Sequence, residues 1–133
     1  MKYFMHCLLC FFPLLTLAQQ HEIDIRLENC LESNPSTSGQ RNCMNEAEIA
    51  WDNELNKYYN LLMKEWPGSS KINLRTAQIN WLKFRDAEFK LIHEYYFNLK
   101  EGSIFLVIGD NRRMEIVKER ALEMKQYYDN YHD

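Results

Sequence analysis

The sequence lacks the motifs that most enzymes and nucleic-acid-binding proteins carry. It has no GxSxG element, no phosphate-binding loop and no ExxH pair of the kind that builds di-metal sites in bundles. His93-Glu94 begins an HExxH pattern, but Phe97 stands where the second zinc ligand belongs. Acidic side chains outnumber basic ones, and Arg112-Arg113 is too small a basic patch for a phosphate footprint. We therefore expect no enzyme activity, no cofactor, no metal and no bound nucleic acid.

Long apolar runs are also scarce, and the one that occurs lies at the start of the chain. Lys2 is followed by the apolar run Cys7–Leu17, and Thr16-Leu17-Ala18 offers the small residues that signal peptidase prefers. The run is too short to span a membrane, so a retained anchor is the less favoured interpretation. The sequence predicts a signal peptide at 1–18 with cleavage after Ala18. Residues 19–133 would then form one periplasmic or secreted domain without a membrane span.

Cysteine is scarce once the leader is removed, because only Cys30 and Cys43 remain of the four. An exported chain with an even pair of cysteines most simply forms one disulfide, and two free thiols are the less favoured alternative. Closing such a loop contributes about 3 kcal/mol in the chain-entropy model. Cleavage also removes Lys2, so 15 of the 16 basic residues remain against 19 acidic ones, a net charge of −4.

Three prolines and four glycines are few for a chain of 133 residues, and the stretches between them carry apolar residues at helical spacing. Turns are predicted at Asn34–Gly39 and at Pro67–Ser70, with Ser70 as an N-cap, and Gly102 fits a C-terminal cap. The predicted helices are Glu22–Ser33, about Ser38 to Trp66, from Ser70 to about Lys100, and from Ser103 onward.

The fourth segment begins ambiguously, because Ile104–Ile108 could be a buried strand or the apolar start of a helix. A single strand would have no partner in this chain, so we favour a helix with a possible kink or break at Gly109. The predicted fold is therefore all-α: a small bundle of one short and three long antiparallel helices, stapled by one disulfide.

The stretch Leu74–Glu88 is predicted to be the central helix of this bundle, with Trp81 as its packing anchor. An amide or guanidinium buried without a partner costs several kcal/mol, so the polar residues of this stretch need acceptors. We favour an internal network in which Asp52 or Glu88 accepts from the arginines, and the alternative is a ligand site between helices. The polar residues on or beside the apolar stripes are Asp52, Asn56, Tyr59, Gln78, Arg85 and Arg120.

Three blocks of residues occur in order along the chain: Cys43, Asp52, Leu55-Asn56 and Tyr59; then Gln78, Trp81-Leu82 and Phe84-Arg85-Asp86; then Gly102-Ser103 and Glu119-Arg120. Together they resemble the LprI-like lysozyme-inhibitor family of small exported domains. The similarity extends from roughly Cys30 to Tyr127. It implies a small all-α bundle in which Asp52, Asn56, Tyr59, Gln78, Trp81, Arg85, Asp86 and Arg120 are family-motif residues with structural roles.

Two positions depart from the family pattern. Members of the family often carry a cysteine just after the RDxE run and another in the last helix, where this chain has Phe89 and about Arg112. The resemblance therefore implies that a second disulfide has been lost as a unit, which leaves Cys30–Cys43.

The resemblance implies a protein that docks on lysozyme or another cell-wall hydrolase and blocks it. A net charge of −4 would steer the chain toward a basic lysozyme. Acids concentrate at Glu46, Glu48, Asp52 and Glu54, although a solvated helix face explains this cluster equally well. The alternative is a periplasmic structural or interaction module with an unrelated partner. The sequence does not assign the surface that would contact an inhibited enzyme.

Overall fold

The computed structural model describes residues 21–133, and the predicted signal peptide lies outside the described residues. Four α-helices follow one another: α1 (Glu22–Ser33), α2 (Thr37–Glu65), α3 (Gly68–Ile92) and α4 (Ile104–His132). A π-helical segment, His93–Leu99, continues directly from α3. Residues 21–133 contain no strand, so the all-α prediction is confirmed.

Polar side chains begin the first two helices. The imidazole of His21 accepts from the backbone N–H of Ile23 at 3.2 Å, and the Ser36 hydroxyl accepts from the N–H of Gly39 at 3.1 Å. The third helix starts without such a cap. The residue before it is Pro67, whose carbonyl accepts the first intrahelical bond, from Lys71. The prediction of Ser70 as N-cap is therefore wrong, because the helix already begins at Gly68, directly after Pro67.

The fourth helix is continuous from its first apolar residues onward. Ile104–Ile108 is helical, and α4 passes through Gly109 without a break, so the helical interpretation is confirmed. Gly109 is buried beneath the π segment, where a Cβ would lie 2.4 Å from a ring carbon of Phe97. The glycine allows a close approach of two helical segments. By contrast, Gly102 has φ 104° and makes the turn between them.

Consecutive helices run antiparallel, and this places α2 and α4 parallel to each other. Arg41 near the start of α2 contacts Asp110 of α4 at 2.6 Å. Glu65 at the end of α2 contacts His132 at the end of α4 at 2.9 Å. These two helices form the closest and most extensive pairing in the described bundle.

The shorter helix α1 and the helix α3 both pack on this pair. Two contacts hold α1 antiparallel to α2: the Cys30–Cys43 disulfide, and the packing of the His21 ring against that of Trp51, tilted by 41° with centroids 4.4 Å apart. Within residues 21–133, α1 and α3 make no close backbone approach to each other. The prediction that Leu74–Glu88 is the central helix is therefore wrong, because α2 and α4 hold that position and α3 covers them.

Trp51 is the buried anchor of the core, with no exposed surface. The predicted anchor Trp81 is only partly buried and packs at the edge of the core. On α2, Ile49 lies outside the buried face and is 54% exposed. The main core cluster consists of Ile23, Met44, Ala47, Trp51, Leu55, Val107, Met114, Val117 and Ala121. A second cluster consists of Tyr58, Leu62, Leu74 and Met124.

Candidate functional site

Arginines and aromatic rings alternate along the inner face of α3, in an arrangement that we name the arginine–aromatic ladder. Trp81, Arg85 and Phe89 share one face of α3 because they are four residues apart. The Arg85 guanidinium lies 5.5 Å from the Trp81 ring centroid and 5.7 Å from that of Phe89. From α4, Arg113 lies 4.5 Å from the Phe89 centroid and Arg120 5.9 Å from that of Trp81. Each such contact contributes about 0.5–2 kcal/mol, depending on solvent exposure.

The two most buried polar residues of the ladder region bind each other. Arg120 is 9% exposed and Gln78 7% exposed, and Nε of Arg120 donates to Oε1 of Gln78 at 3.1 Å. Nη1 of Arg120 donates to Glu123 at 2.6 Å. The acceptors for Arg120 are therefore Gln78 and Glu123, and neither Asp52 nor Glu88 forms a hydrogen bond or ion pair with it in the described part of the chain.

Asp52, one of the two predicted acceptors, does lie near an arginine. Asp52 of α2 lies 3.9 Å from Arg85, whose closer partner is its neighbour Asp86 at 2.7 Å. Asn56 donates to Asp52 at 3.0 Å, while Tyr59 packs against the second core cluster. These family-motif residues therefore lie on both sides of the junction between α2 and α3.

Most carboxylates of the acidic cluster predicted on α2 accept hydrogen bonds from nearby basic or amide side chains. Glu48 accepts from Arg113 at 3.2 Å, and Glu54 accepts from Lys57 at 3.0 Å. Burial raises the pKa of Glu48 above its ordinary value, and the Arg113 guanidinium offsets part of that rise. Since Asp52 also has donors, only Glu46 of this cluster has no polar partner in the described part of the chain. The cluster is therefore a weak candidate for attracting a basic protein.

Carboxylates without a nearby basic partner lie in a groove between α3 and α4. The α3–α4 groove has a volume of about 340 Å³ and is lined by Trp81, Phe84, Glu88, Arg112, Ile116, Glu119, Arg120 and Glu123. Glu88 and Glu119 form no ion pair or hydrogen bond with the described residues. The groove combines apolar rings with free carboxylates. The sequence did not reveal this groove, because its two walls come from segments about 30 residues apart along the chain.

The two cysteines form the predicted bridge. Cys30 and Cys43 are joined with their Cα atoms 5.7 Å apart. Phe89, where the resemblance implies a cysteine in other members, packs against Arg113 of α4, next to Arg112. An aromatic–arginine contact thus connects α3 and α4 near the position where the resemblance implies a second bridge in other members.

The described residues contain neither a metal-binding cluster nor a helix suited to span a membrane. No group of three or more His, Cys, Asp or Glu side chains within 21–133 could hold a metal ion. Nor is any described helix both long enough and apolar enough to cross a membrane.

An all-α bundle in which one disulfide joins the first two helices defines a class of small helical domains, and comparison with known proteins specifies the family. The family model "Lysozyme inhibitor LprI" matches residues 29–124, so the chain belongs to the LprI lysozyme-inhibitor family. No curated protein gives a match.

A solved structure supports the fold. A crystal structure of an uncharacterized protein from Burkholderia thailandensis is similar to this chain with a TM-score of 0.80 and 29% sequence identity. The match covers 86% of this chain and 57% of that protein, so the chain spans little more than half of its length. The arrangement of helices is thereby shared with a larger protein.

Proposed function

We propose that the protein is an exported inhibitor that docks on a cell-wall hydrolase, with lysozyme as the enzyme blocked. Membership of the LprI family over residues 29–124 is the observation that carries this proposal. The surface supports it, because a bundle with excess acidic residues would be drawn to a basic enzyme. No catalytic role is assigned to any residue, since inhibition by docking needs only a complementary surface.

A lysis assay tests the proposal directly. Lysozyme is added to a bacterial suspension with increasing amounts of the protein lacking residues 1–18, at low and at high salt. We expect slower loss of turbidity at low salt and weaker protection at high salt, because screening weakens charge attraction. An unrelated acidic protein of similar charge serves as the control. A soluble chitin oligomer, used as a second substrate, distinguishes inhibition of lysozyme from protection by coating of the cells. Full lysis at low salt with a molar excess of the protein would contradict the proposal.

We propose further that residues 1–18 direct export and are removed after Ala18. The basic start, the short apolar run and the small residues at Thr16-Leu17-Ala18 support this. Expression of the full chain followed by N-terminal sequencing of the periplasmic product tests it. A first residue of Gln19 is expected, and an intact N-terminus in the membrane fraction would indicate a retained anchor.

The second candidate is an interaction module whose partner is not a hydrolase. Several large apolar side chains near the junction of α3, the π segment and α4 are exposed, and they favour contact with an apolar partner surface. They are Leu91 (60%), Tyr95 (44%), Leu99 (65%), Ile104 (56%) and Ile108 (39%). The two candidates differ in salt response, since docking through apolar side chains is not weakened by salt. Absence of protection in the lysis assay would leave this second candidate.

A further inference from the structure

The α3–α4 groove has an apolar floor that is open to solvent. The rings of Trp81 and Phe84 and the side chain of Ile116 contribute to it, and Phe84 is 52% exposed. An exposed phenylalanine beside a tryptophan provides ring faces that attract both alkyl chains and cations. Trp81 already has Arg85 and Arg120 nearby, whereas no cation lies over the Phe84 ring in the described part of the chain.

Two carboxylates of this groove are available to a partner. Glu88 and Glu119 have no basic partner in the described structure, unlike Glu123, which binds Arg120. They differ in this respect from the acids of α2, where Glu48 is paired with a basic side chain. A cationic side chain entering the groove would therefore meet carboxylates that do not have to give up an existing ion pair.

The buried arginine of the groove supplies an independent indication of a ligand. Arg120 is 9% exposed, and its Nε and Nη1 atoms bind Gln78 and Glu123. Its Nη2 atom is buried and has no acceptor among the described residues. An unsatisfied buried donor is unfavourable, so a bound group with an oxygen acceptor, such as a main-chain carbonyl, would satisfy it after a small side-chain shift.

One basic residue opposes this attraction. Arg112 also lines the groove and makes no ion pair with the described residues. The groove thus has three carboxylates against two guanidinium groups, a modest acidic excess. Removal of the Arg112 charge should strengthen the binding of a cation, and this supplies a change of opposite sign for the test.

We propose that the α3–α4 groove receives a lysine- or arginine-bearing peptide segment of a partner protein. The cationic group pairs with Glu88 and Glu119, the alkyl stem packs on Phe84 and Trp81, and a main-chain carbonyl accepts from Arg120. If the partner is lysozyme, this assignment names the contact surface and in that respect rests on the proposed function. The groove's affinity for a basic peptide stands without it.

The test compares two charge-matched double variants. Glu88→Gln/Glu119→Gln removes the free groove carboxylates, and Glu32→Gln/Glu101→Gln removes two exposed acids outside the groove. Binding of a fluorescent penta-lysine peptide is measured by anisotropy at low salt, and lysozyme inhibition is measured in parallel. Circular dichroism melting checks that each variant is folded.

The groove variant should bind penta-lysine about 5- to 20-fold more weakly, from the strength of two partly exposed charge pairs. The control variant should lose no more than about 2-fold, through the change in net charge alone. Phe84→Ala should also weaken binding, and Arg112→Gln should strengthen it. A penta-glutamate peptide should not bind.

The outcomes separate this inference from the proposed function. Equal weakening by the groove and control variants would overturn the groove assignment, even if lysozyme is inhibited. Weaker peptide binding by the groove variant alone, with no inhibition of lysozyme by the parent protein, would support the groove and refute the proposed partner. If both peptide binding and inhibition fall with the groove variant alone, both proposals are supported.

Discussion

Gly109 lies where the π segment crosses α4, and its replacement by alanine tests how closely these segments pack. An added Cβ would be 2.4 Å from Cε1 of Phe97 and 3.0 Å from Cβ of Tyr96. Ordinary carbon–carbon contacts are about 3.5–4.0 Å, so the Phe97 ring has to move by about 1 Å. Such overpacking costs about 1–3 kcal/mol, while alanine recovers up to about 1 kcal/mol of helix propensity. We expect Gly109→Ala to lower the free energy of unfolding by about 1–2 kcal/mol.

Gly68→Ala is the matched control, because a Cβ at Gly68 meets nothing within 4 Å. This change should leave stability unchanged or raise it by less than about 1 kcal/mol. Urea unfolding followed by far-ultraviolet circular dichroism measures both variants. Phe97→Ala combined with Gly109→Ala should then recover part of the loss, because the contact is removed. Equal stability of the two glycine variants would refute the close packing inferred here.

Three further predictions concern the core, the disulfide and one partly buried carboxyl. Trp51→Ala should cost about 3–5 kcal/mol and Trp81→Ala about half as much, since only Trp51 is fully buried; equal losses in urea unfolding would contradict this. Reduction of Cys30–Cys43 should lower the melting temperature and leave most helicity, and an unchanged melting temperature would argue against a stabilising role. Glu48 has a raised pKa in the folded state, so its contribution favours folding at low pH and is lost as the pH rises through that pKa. Glu48→Gln should therefore gain stability relative to the parent as the pH rises above the ordinary glutamate pKa of 4.5, and parallel stability–pH curves would contradict it.

The helices were predictable because their signals are local. Pro35 and Pro67 cannot donate a backbone hydrogen bond within a helix, so α1 and α2 end before them, and the turn at Gly102 acts within a few residues. The helical state of Ile104–Ile108 followed from the lack of a second strand to pair with it. The disulfide could also be inferred, because only Cys30 and Cys43 remain once residues 1–18 are set aside.

The candidate site was not predictable to the same degree. The sequence indicated that Arg85 and Arg120 need partners, yet it did not indicate that Gln78 serves one and Asp86 the other. Phe89 could have been recognised by its spacing of four from Arg85, but Arg113 could not, since its place in the ladder depends on how α3 faces α4. Residues far apart in sequence meet according to helix packing, which local patterns do not encode.

The sequence by itself determined that this chain forms four helices, that one disulfide joins the first two, and that the chain resembles the LprI family. These properties rest on spacing, caps and residue types within single segments. The tertiary structure alone decided that α2 and α4 form the centre, that Trp51 rather than Trp81 is buried at its core, and that Glu88 and Glu119 share a groove. Rotation of each helix about its axis sets which side chains are buried, and that rotation is decided by the combined packing of all four helices.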